Sequence, residues 1–198
     1  AFRYSFRKQE SIYELGQPRY DYLCNDTKEF DENFHEEYLY LKRLTGYNKI
    51  IAWMPTHRFF QKNNFTAILE DSGFSLANLD DWLKANNFLL VFKLHPLERQ
   101  FSDVFMNYEN IITYDFVDPS PLLKTTDVLI TDYSSVSFDF VSMNKPVVFC
   151  PFDLVEYESY TGFYLDYEQD VPGEVCTTLP SLKESLLRSF ETDYCLNY

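Results

Sequence analysis

The sequence predicts an α/β fold, a Rossmann-like doubly wound parallel sheet. Short apolar runs alternate along the chain with segments of helical pattern, at a spacing of about 20 residues. Each run is apolar throughout, which is typical of strands buried on both faces of a parallel sheet. Strands and helices that alternate in this way form βαβ units with right-handed crossovers, so we expect helices to cover both faces of the sheet.

Proline and asparagine set the ends of several of these elements. Pro55 and Pro96 stop two apolar runs, because proline has no backbone N–H to donate to a sheet. Asn86-Asn87 ends a helix, and Pro119 lies near the start of another, which is common in a first helical turn. The predicted strands are 49–54, 88–94, 110–114, 127–131 and 145–149.

Segments of helical pattern precede, separate and follow these strands. The predicted helices are 34–44, 79–86, 97–107, 119–125, 134–143 and 180–190. We predict mostly loop over 55–78, with a turn of helix at 65–69, and again along the tyrosine-rich stretch that ends at Pro172-Gly173. Residues 1–45 are expected to form an N-terminal helical or linker segment that packs on the domain. Residues 46–198 are expected to form the Rossmann-like domain with its C-terminal helix.

Composition and charge argue against several classes of protein. The 198 residues carry a formal net charge of −14, whereas nucleic-acid and anionic-membrane surfaces need clustered Lys and Arg. The four cysteines contain no CxxC pair, so neither a zinc ribbon nor a disulfide framework is supported. The apolar runs are only strand-sized, far below the roughly 20 residues of a membrane span. The chain does not begin with Met, and we expect it to be part of a longer protein.

Known nucleotide and hydrolase motifs are missing from the sequence. It contains no GxGxxG, GxxxxGK[ST] or GxSxG, which argues against dinucleotide dehydrogenases, P-loop enzymes and serine hydrolases. In open α/β sheets, ligands bind beyond the carboxyl ends of the strands. Four polar clusters follow predicted strands: Pro55-Thr-His-Arg58, Lys93-Leu-His-Pro96, Asp115-Phe-Val-Asp118 and Thr131-Asp-Tyr-Ser-Ser135.

The last of these clusters predicts a binding site for a phosphate. Ser134 and Ser135 open a helix directly after a buried strand, and free N–H groups with the helix dipole favour an anion there. The alternative is that the serines only cap the helix. Asp132 would repel phosphate, so we expect it to accept from a hydroxyl or to orient the loop, with Asp139 one helical turn from Ser135 in the same role.

The other clusters supply candidate cations and a candidate proton carrier. His95 precedes a proline and should project at the ligand edge, where imidazole can donate to a diphosphate or exchange a proton. Lys93 lies two residues earlier, on the same face of the strand. Arg58 is a candidate for a charge-assisted phosphate contact, with Thr56 as a hydroxyl partner. The alternatives are a surface or capping His95, a solvated Lys93 and an Arg58 ion pair at the rim.

Nine short motifs occur in an order that resembles the CDP-glycerol glycerophosphotransferase family. The resemblance covers about residues 12–174, and LITDYSS followed by FD and KP is its most specific part. The motifs are Gly16-Gln-Pro-Arg-Tyr-Asp21, Pro55-Thr-His-Arg58, Lys93-Leu-His-Pro96, Asp127-Val-Leu-Ile-Thr-Asp-Tyr-Ser-Ser135, Phe138-Asp139, Lys145-Pro146, Phe152-Asp153, Tyr160-Thr-Gly162 and Pro172-Gly173.

The resemblance implies a specific fold and activity. It implies the C-terminal, donor-binding half of a GT-B fold, and transfer of glycerol phosphate or a related polyol phosphate from a CDP-alcohol to a teichoic-acid-like or capsular polymer. His95 would contact the diphosphate or transfer a proton, and Arg58, Ser134, Ser135 and Asp139 would line the donor pocket. The acceptor would be held by an N-terminal half, at the inner face of the bacterial membrane.

Two other functions are compatible with the sequence. One is a GT-B glycosyltransferase domain that uses a nucleotide sugar, since both classes bind phosphate at a helix start. The other is a non-catalytic interaction domain with the same fold. No metal or cofactor is expected in any of these cases, because His35 and His57 have no metal-binding spacing and the CDP-alcohol is a substrate.

Overall fold

A computed structural model describes residues 16–25, 32–58, 65, 69, 72–164, 166–191 and 194. Six strands form one sheet in the order β3-β2-β1-β4-β5-β6, and every pair is parallel. The strands are β1 Lys49–Met54, β2 Phe88–Phe92, β3 Ile111–Thr113, β4 Val128–Thr131, β5 Val147–Phe149 and β6 Glu174–Val175. This order, with β1 in the middle, is that of a doubly wound Rossmann sheet. The predicted fold class is confirmed.

Eight α-helices are described, together with two 3₁₀ helices at Lys42–Leu44 and Pro96–Asn107. The α-helices are α1 Arg19–Cys24, α2 His35–Leu41, α3 Leu76–Asn86, α4 Ser120–Thr125, α5 Val136–Ser142, α6 Leu154–Thr161, α7 Tyr167–Asp170 and α8 Leu179–Ser189. Helices pack on both faces of the sheet, and each face has its own apolar core. The central strands are therefore buried on both sides, as their continuous apolar runs predict.

Alternate side chains of the central strands enter the two cores. On one face, Trp53 stacks on Phe92 of the neighbouring strand, with ring centroids 5.0 Å apart, and both side chains are fully buried. Ala52 and Val91 point to the opposite face. A one-residue shift of β1 against β2 would exchange these faces, so the register Trp53↔Phe92 is strongly specified.

The described parts of the N-terminal segment cover the second face of the sheet. Tyr22 and Leu23 of α1 belong to that core, as do Leu41 and Leu44. The predicted boundary at residue 45 stays a prediction. Residues 1–15 of the predicted N-terminal segment, and three residues of the predicted turn at 65–69, lie outside the described residues.

Two predictions of local structure were wrong. Helix α3 begins at Leu76 rather than at 79, because the Ser75 hydroxyl accepts from the N–H of Asn78 and caps it. The tyrosine-rich stretch, which was predicted to be loop, contains α6 and α7. The helix predicted over 97–107 is present as the 3₁₀ helix Pro96–Asn107.

The sixth strand, β6, was not predicted. It has only two residues, and its partners are Val148 and Phe149. A Cβ on Gly173, just before it, would lie 2.1 Å from the carbonyl oxygen of Val147, so only glycine allows the chain to approach the sheet this closely. A strand this short has no detectable alternation in sequence.

Candidate functional site

The loops after β1 and β4 meet at the carboxyl edge of the sheet. Strands β2 and β3 lie on one side of β1, and β4, β5 and β6 lie on the other. The crossovers therefore leave β1 and β4 in opposite directions and open a crevice between them, which is the usual ligand site of an open α/β sheet. Thr56 and Asp132 lie at this crevice.

Asp132 connects the two loops. Its Oδ1 accepts from the backbone N–H of Thr56 at 2.9 Å and from the Thr56 hydroxyl at 2.7 Å. The same oxygen accepts from the N–H of Tyr133 at 2.6 Å. Asp132 therefore orients both loops. A direct contact of Thr56 or Asp132 with a ligand stays a prediction.

Arg58 is the centre of a buried ion cluster and is only 2% exposed. Its Nε and Nη2 donate to the carboxylate of Asp153 at 2.7 and 2.8 Å, and Nη2 also lies 2.8 Å from Oδ2 of Asp132. The guanidinium faces the rings of Tyr133 and Tyr157, 4.9 and 5.4 Å from their centroids. Burial opposes the positive charge, but the two carboxylates hold the pKa of Arg58 above its ordinary value.

This Arg58 cluster, formed by Arg58, Asp132 and Asp153, joins the loops that follow β1, β4 and β5. Two carboxylates already engage the single guanidinium. The alternative ion pair that the sequence left open for Arg58 is therefore present, but it is buried rather than at a rim. A phosphate contact of Arg58 stays a prediction. Through its two ion pairs, Arg58 holds together the loops that follow β1, β4 and β5.

The phosphate-binding site predicted from the sequence is at the start of α5. Ser135 is the N-cap residue, yet its hydroxyl makes no cap hydrogen bond, whereas Ser134 Oγ accepts from the N–H of Val136 at 3.4 Å. The N–H groups of Ser137 and Phe138 donate to the carbonyls of Ser134 and Ser135. Over the described ranges, the N–H groups of Ser134 and Ser135 themselves have no partner. These two amides are the donors available to an anion, and the phosphate contact stays a prediction.

Asp139 is paired across the fold with Arg19. Arg19 Nε lies 2.7 Å from Oδ1 of Asp139, and this hydrogen bond raises the pKa of Arg19. The pair joins α1 to α5 and places the Gly16–Asp21 motif beside the predicted donor pocket. A ligand contact of Asp139 stays a prediction.

His95 lies exposed at the carboxyl end of β2, where it begins the long 3₁₀ helix. Its Nδ1 accepts from the N–H of Leu97 at 3.3 Å, and its ring stacks on His57 with centroids 4.9 Å apart and planes 18° apart. Burial, and then the neighbouring His57, lower the pKa of His95. His57 in turn places its Nδ1 2.9 Å from Oε1 of the buried Glu98.

Lys93 and Arg99 add positive charge near His95. Lys93 Nζ donates to the carbonyl of Phe116, and burial together with the nearby Arg99 lowers its pKa to about 8. Nη2 of Arg99 is buried without a hydrogen-bond partner in the part of the chain that the structure describes. A buried guanidinium nitrogen without an acceptor is costly, so this region favours an anion. A phosphate contact of Lys93 stays a prediction.

Comparison with known proteins decides the family. A sequence profile described as CDP-Glycerol:Poly(glycerophosphate) glycerophosphotransferase matches residues 1–195. The chain belongs to this family. The teichoic acid poly(glycerol phosphate) polymerase of Bacillus spizizenii is 32% identical over an alignment 197 residues long, which covers 93% of this chain and 46% of that protein. The corresponding polymerase of Bacillus subtilis strain 168 is 31% identical and is covered over 26% of its length.

The family's solved structures have the same architecture. The wall teichoic acid polymerase TagF, in a variant soaked with CDPG, superposes with a TM-score of 0.74 at 30% identity, over 100% of this chain and 47% of that one. The predicted GT-B-type α/β fold is thus confirmed, as is the family that the nine motifs indicated. The chain spans about half or less of the length of the relatives it matches.

An aromatic cleft of about 290 Å³ lies beside the Arg58 cluster. Tyr133 and Tyr157 stack in its wall with centroids 3.8 Å apart, and Phe163 and Tyr167 lie next to them. The Tyr133 hydroxyl donates to Asp153 at 2.9 Å. Burial, followed by the charge of Asp153, raises the pKa of Tyr133, so this hydroxyl stays protonated.

Sequence analysis assigned no role at the site to four residues: His57, Glu98, Arg99 and Asp153. Asp153 follows β5, so the rule that ligand sites lie beyond carboxyl ends could have found it. His57 was considered only as a metal ligand. Glu98 and Arg99 lie in a segment that was predicted to be helical, but a helical pattern does not show which side chains reach the ligand edge. Over the described ranges, no helix is long and apolar enough to cross a bilayer, and no three metal-ligating side chains converge.

Proposed function

We propose that this chain is the donor-binding part of a transferase that moves glycerol phosphate, or a related polyol phosphate, from a CDP-alcohol to a teichoic-acid-like or capsular polymer. The observation that supports this most directly is the crevice between β1 and β4, in a chain of the glycerophosphotransferase family. The amides of Ser134 and Ser135, which have no partner among the described residues, lie on one side of the crevice, and the histidines that follow β1 and β2 lie on the other.

The diphosphate of the donor is the group that fits this crevice. It is anionic, and N–H groups at a helix start, a buried lysine and an arginine nitrogen that is buried without an acceptor among the described residues all favour an anion. Of the residues predicted for the site, Ser134, Ser135, His95 and Lys93 are the contacts that we propose for the diphosphate. Arg99 joins them because its buried Nη2 has no acceptor over the described ranges. The donor is a substrate, and the proposal requires no metal or cofactor.

The proposal extends to partners and location. A polyol-phosphate or glycan acceptor would be held by a second, N-terminal half, because attack at phosphorus requires an oriented hydroxyl. In the whole protein we place this reaction at the inner, cytoplasmic face of the bacterial membrane. The net charge of −14 makes this part of the protein a poor membrane anchor, so attachment would come from other segments.

Calorimetric titration of the chain with CDP, CDP-glycerol, UDP and UDP-sugars tests the proposed donor. We expect CDP-glycerol and CDP to bind, and UDP-sugars to bind weakly or not at all. Binding of UDP-sugars without CDP-glycerol would favour a nucleotide-sugar glycosyltransferase. An absence of nucleotide binding would favour a non-catalytic interaction domain.

A further inference from the structure

The motif Gly16-Gln-Pro-Arg-Tyr-Asp21 has no role in the donor site proposed above. It lies in the N-terminal segment, and its last three residues begin helix α1. The motif does not follow any of the described strands, so the rule that ligands bind beyond the carboxyl ends of strands does not place it. The structure nevertheless connects it to the ligand edge, because Arg19 contacts Asp139 of α5.

Helix α1 packs along α5 and bonds to it at two points. In the first turn of α5, Asp139 Oδ1 accepts from Arg19 Nε at 2.7 Å. At the end of α5, the carbonyl of Ser142 accepts from Cys24 Sγ at 3.4 Å. The first contact is a charge-assisted hydrogen bond, whereas a thiol is a weak donor. The pair Arg19–Asp139 is therefore the stronger of the two contacts.

The Asp139 carboxylate requires a positive partner. Its side chain is only 11% exposed, and a carboxylate this buried is costly without a counter-charge. A helical side chain leans toward the N-terminus of its helix, so Asp139 lies over the turn that begins at Ser135. Arg19 fixes one oxygen of the carboxylate. Among the described residues, Oδ2 of Asp139 has no hydrogen-bond partner, so this oxygen can accept from a ligand.

Arg19 is much more exposed than its partner. Its side chain is 46% exposed, and over the described ranges its Nη atoms have no acceptor. An ion pair with one exposed partner contributes little to stability. This distinguishes Arg19 from Arg58, whose guanidinium is buried between two carboxylates. The main consequence of the contact is thus the orientation of Asp139.

We propose that Arg19 is a positioning residue of the transferase, which holds the Asp139 carboxylate so that Oδ2 accepts from hydroxyl groups of the donor. An ionised carboxylate can only accept, and its two oxygens can be bonded separately, one by Arg19 and one by the ligand. CDP-glycerol carries vicinal hydroxyls both on its ribose and on its glycerol. The proposal rests on the proposed donor-binding function, and it gives the N-terminal motif a part in substrate recognition.

Calorimetric titration with CDP-glycerol tests the role of Arg19. R19Q keeps a polar side chain without the charge, and we expect it to lower the affinity about tenfold. R19K should recover most of this loss, because a contact through one nitrogen does not require the planar guanidinium. C24A removes only the other bond between α1 and α5 and is the matched control. It should change the affinity by less than about twofold, since a thiol hydrogen bond is weak.

The melting temperatures of these variants separate orientation from stability. R19Q and R19K should melt within about 4 °C of the parent, because an exposed ion pair is worth at most about 1 kcal/mol. A parent-like affinity in R19Q would overturn the proposal. So would a loss in C24A as large as in R19Q, or a loss in R19K as large as in R19Q, since each would indicate that the charge of Arg19 is not what matters.

A double change tests whether Arg19 acts through Asp139. D139N should also weaken CDP-glycerol binding, because an amide is a poorer acceptor for hydroxyls than a carboxylate. R19Q/D139N should then bind about as weakly as D139N alone, since there is no carboxylate left to orient. Losses that multiply in the double variant would show that the two residues act independently and would contradict the proposal.

Donor analogues identify the hydroxyl groups. If Asp139 contacts the ribose, R19Q should weaken the binding of CDP but not of 2′,3′-dideoxy-CDP. If it contacts the glycerol, R19Q should weaken the binding of CDP-glycerol and leave that of CDP unchanged. An equal loss for all of these ligands would mean that Arg19 affects no donor hydroxyl, and the proposal would be wrong. If the parent binds none of them, the donor-binding function itself fails.

Discussion

Two regions of the same sheet edge differ in how completely their charged side chains are paired. In the Arg58 cluster, one guanidinium is enclosed by Asp132 and Asp153 and by two tyrosine rings. In the His95 edge, which we define as His57, Lys93, His95, Glu98 and Arg99 in the loops after β1 and β2, Nη2 of Arg99 is buried without an acceptor in the part of the chain that the structure describes. Satisfied charges hold loops together, whereas unsatisfied charges are available to a ligand. The first region should therefore govern stability, and the second should govern binding.

The largest expected effect comes from Arg58→Ala. Removing the guanidinium leaves the carboxylates of Asp132 and Asp153 buried without a counter-charge, which costs about 3–5 kcal/mol of unfolding free energy. Urea denaturation followed by circular dichroism measures this loss. Because R58A could fail to fold, the double change D132N/D153N, which removes both carboxylate charges and leaves Arg58 buried without a counter-charge, serves as a second measurement and should also destabilise the chain. If R58A is as stable as the parent and loses only donor affinity, Arg58 faces the ligand and the comparison is wrong.

Arg99→Ala should have the reverse effect. Nη2 of Arg99 lacks a hydrogen-bond partner over the described ranges, so its loss removes little from the folded state, and the unfolding free energy should change by less than about 0.5 kcal/mol. Donor affinity should fall by about 1.5–3 kcal/mol, the usual range for a hydrogen bond to a charged group. Calorimetric titration with CDP-glycerol measures the affinity, and R43A, at an exposed arginine, is the matched control. Equal affinities for R99A and R43A would remove Arg99 from the donor site.

His95→Ala and Ser135→Ala test the two sides of the crevice. Each should weaken CDP-glycerol binding by about 1–3 kcal/mol if the hydrogen bonds are charge-assisted, because both lie at the edge where the diphosphate is proposed. Titration with CDP-glycerol and with cytidine separates a diphosphate contact from a general loss, since cytidine has no phosphate. If both variants bind CDP-glycerol as the parent does, the site lies elsewhere.

The sequence identifies the edge but not how its charges are paired. Continuous apolar runs predict buried parallel strands, and proline and polar residues mark where the runs end, so Thr56, Lys93, His95 and Asp132 could be assigned to one edge. Periodicity carries no information on contacts between distant residues. Arg58 and Asp153 are 95 positions apart, and their contact depends on the strand order rather than on local pattern.

The same limit explains why the His95 edge was only partly predicted. Its 3₁₀ helix brings Glu98 within 2.9 Å of His57, 41 positions away, and this pairing depends on a tertiary contact rather than on local pattern. β6 escaped prediction for another reason, because its two residues are placed by the glycine before them and by their strand partners. Local pattern thus predicts the scaffold, while tertiary contacts determine which charges remain available.

The smallest expected effect is a pH dependence of donor binding through Lys93. Its pKa of about 8 in the free chain, below the ordinary 10.5, means that the ammonium loses its proton as pH rises through 8. An anionic ligand prefers the charged form, so binding above pH 8 must take up a proton, and affinity should fall by up to about tenfold, or 1.4 kcal/mol, between pH 8 and 9. Titrations with CDP-glycerol at several pH values measure this slope, and K93M should reduce it. Lys145 has a similar pKa of about 8 and is the matched control. It precedes β5, away from the carboxyl edge of the sheet, and its Nζ donates to the carbonyls of Leu123, Lys124 and Thr126. K145M should therefore keep the slope. A slope that persists in K93M, or disappears in K145M, would show that the proton is taken up outside the His95 edge.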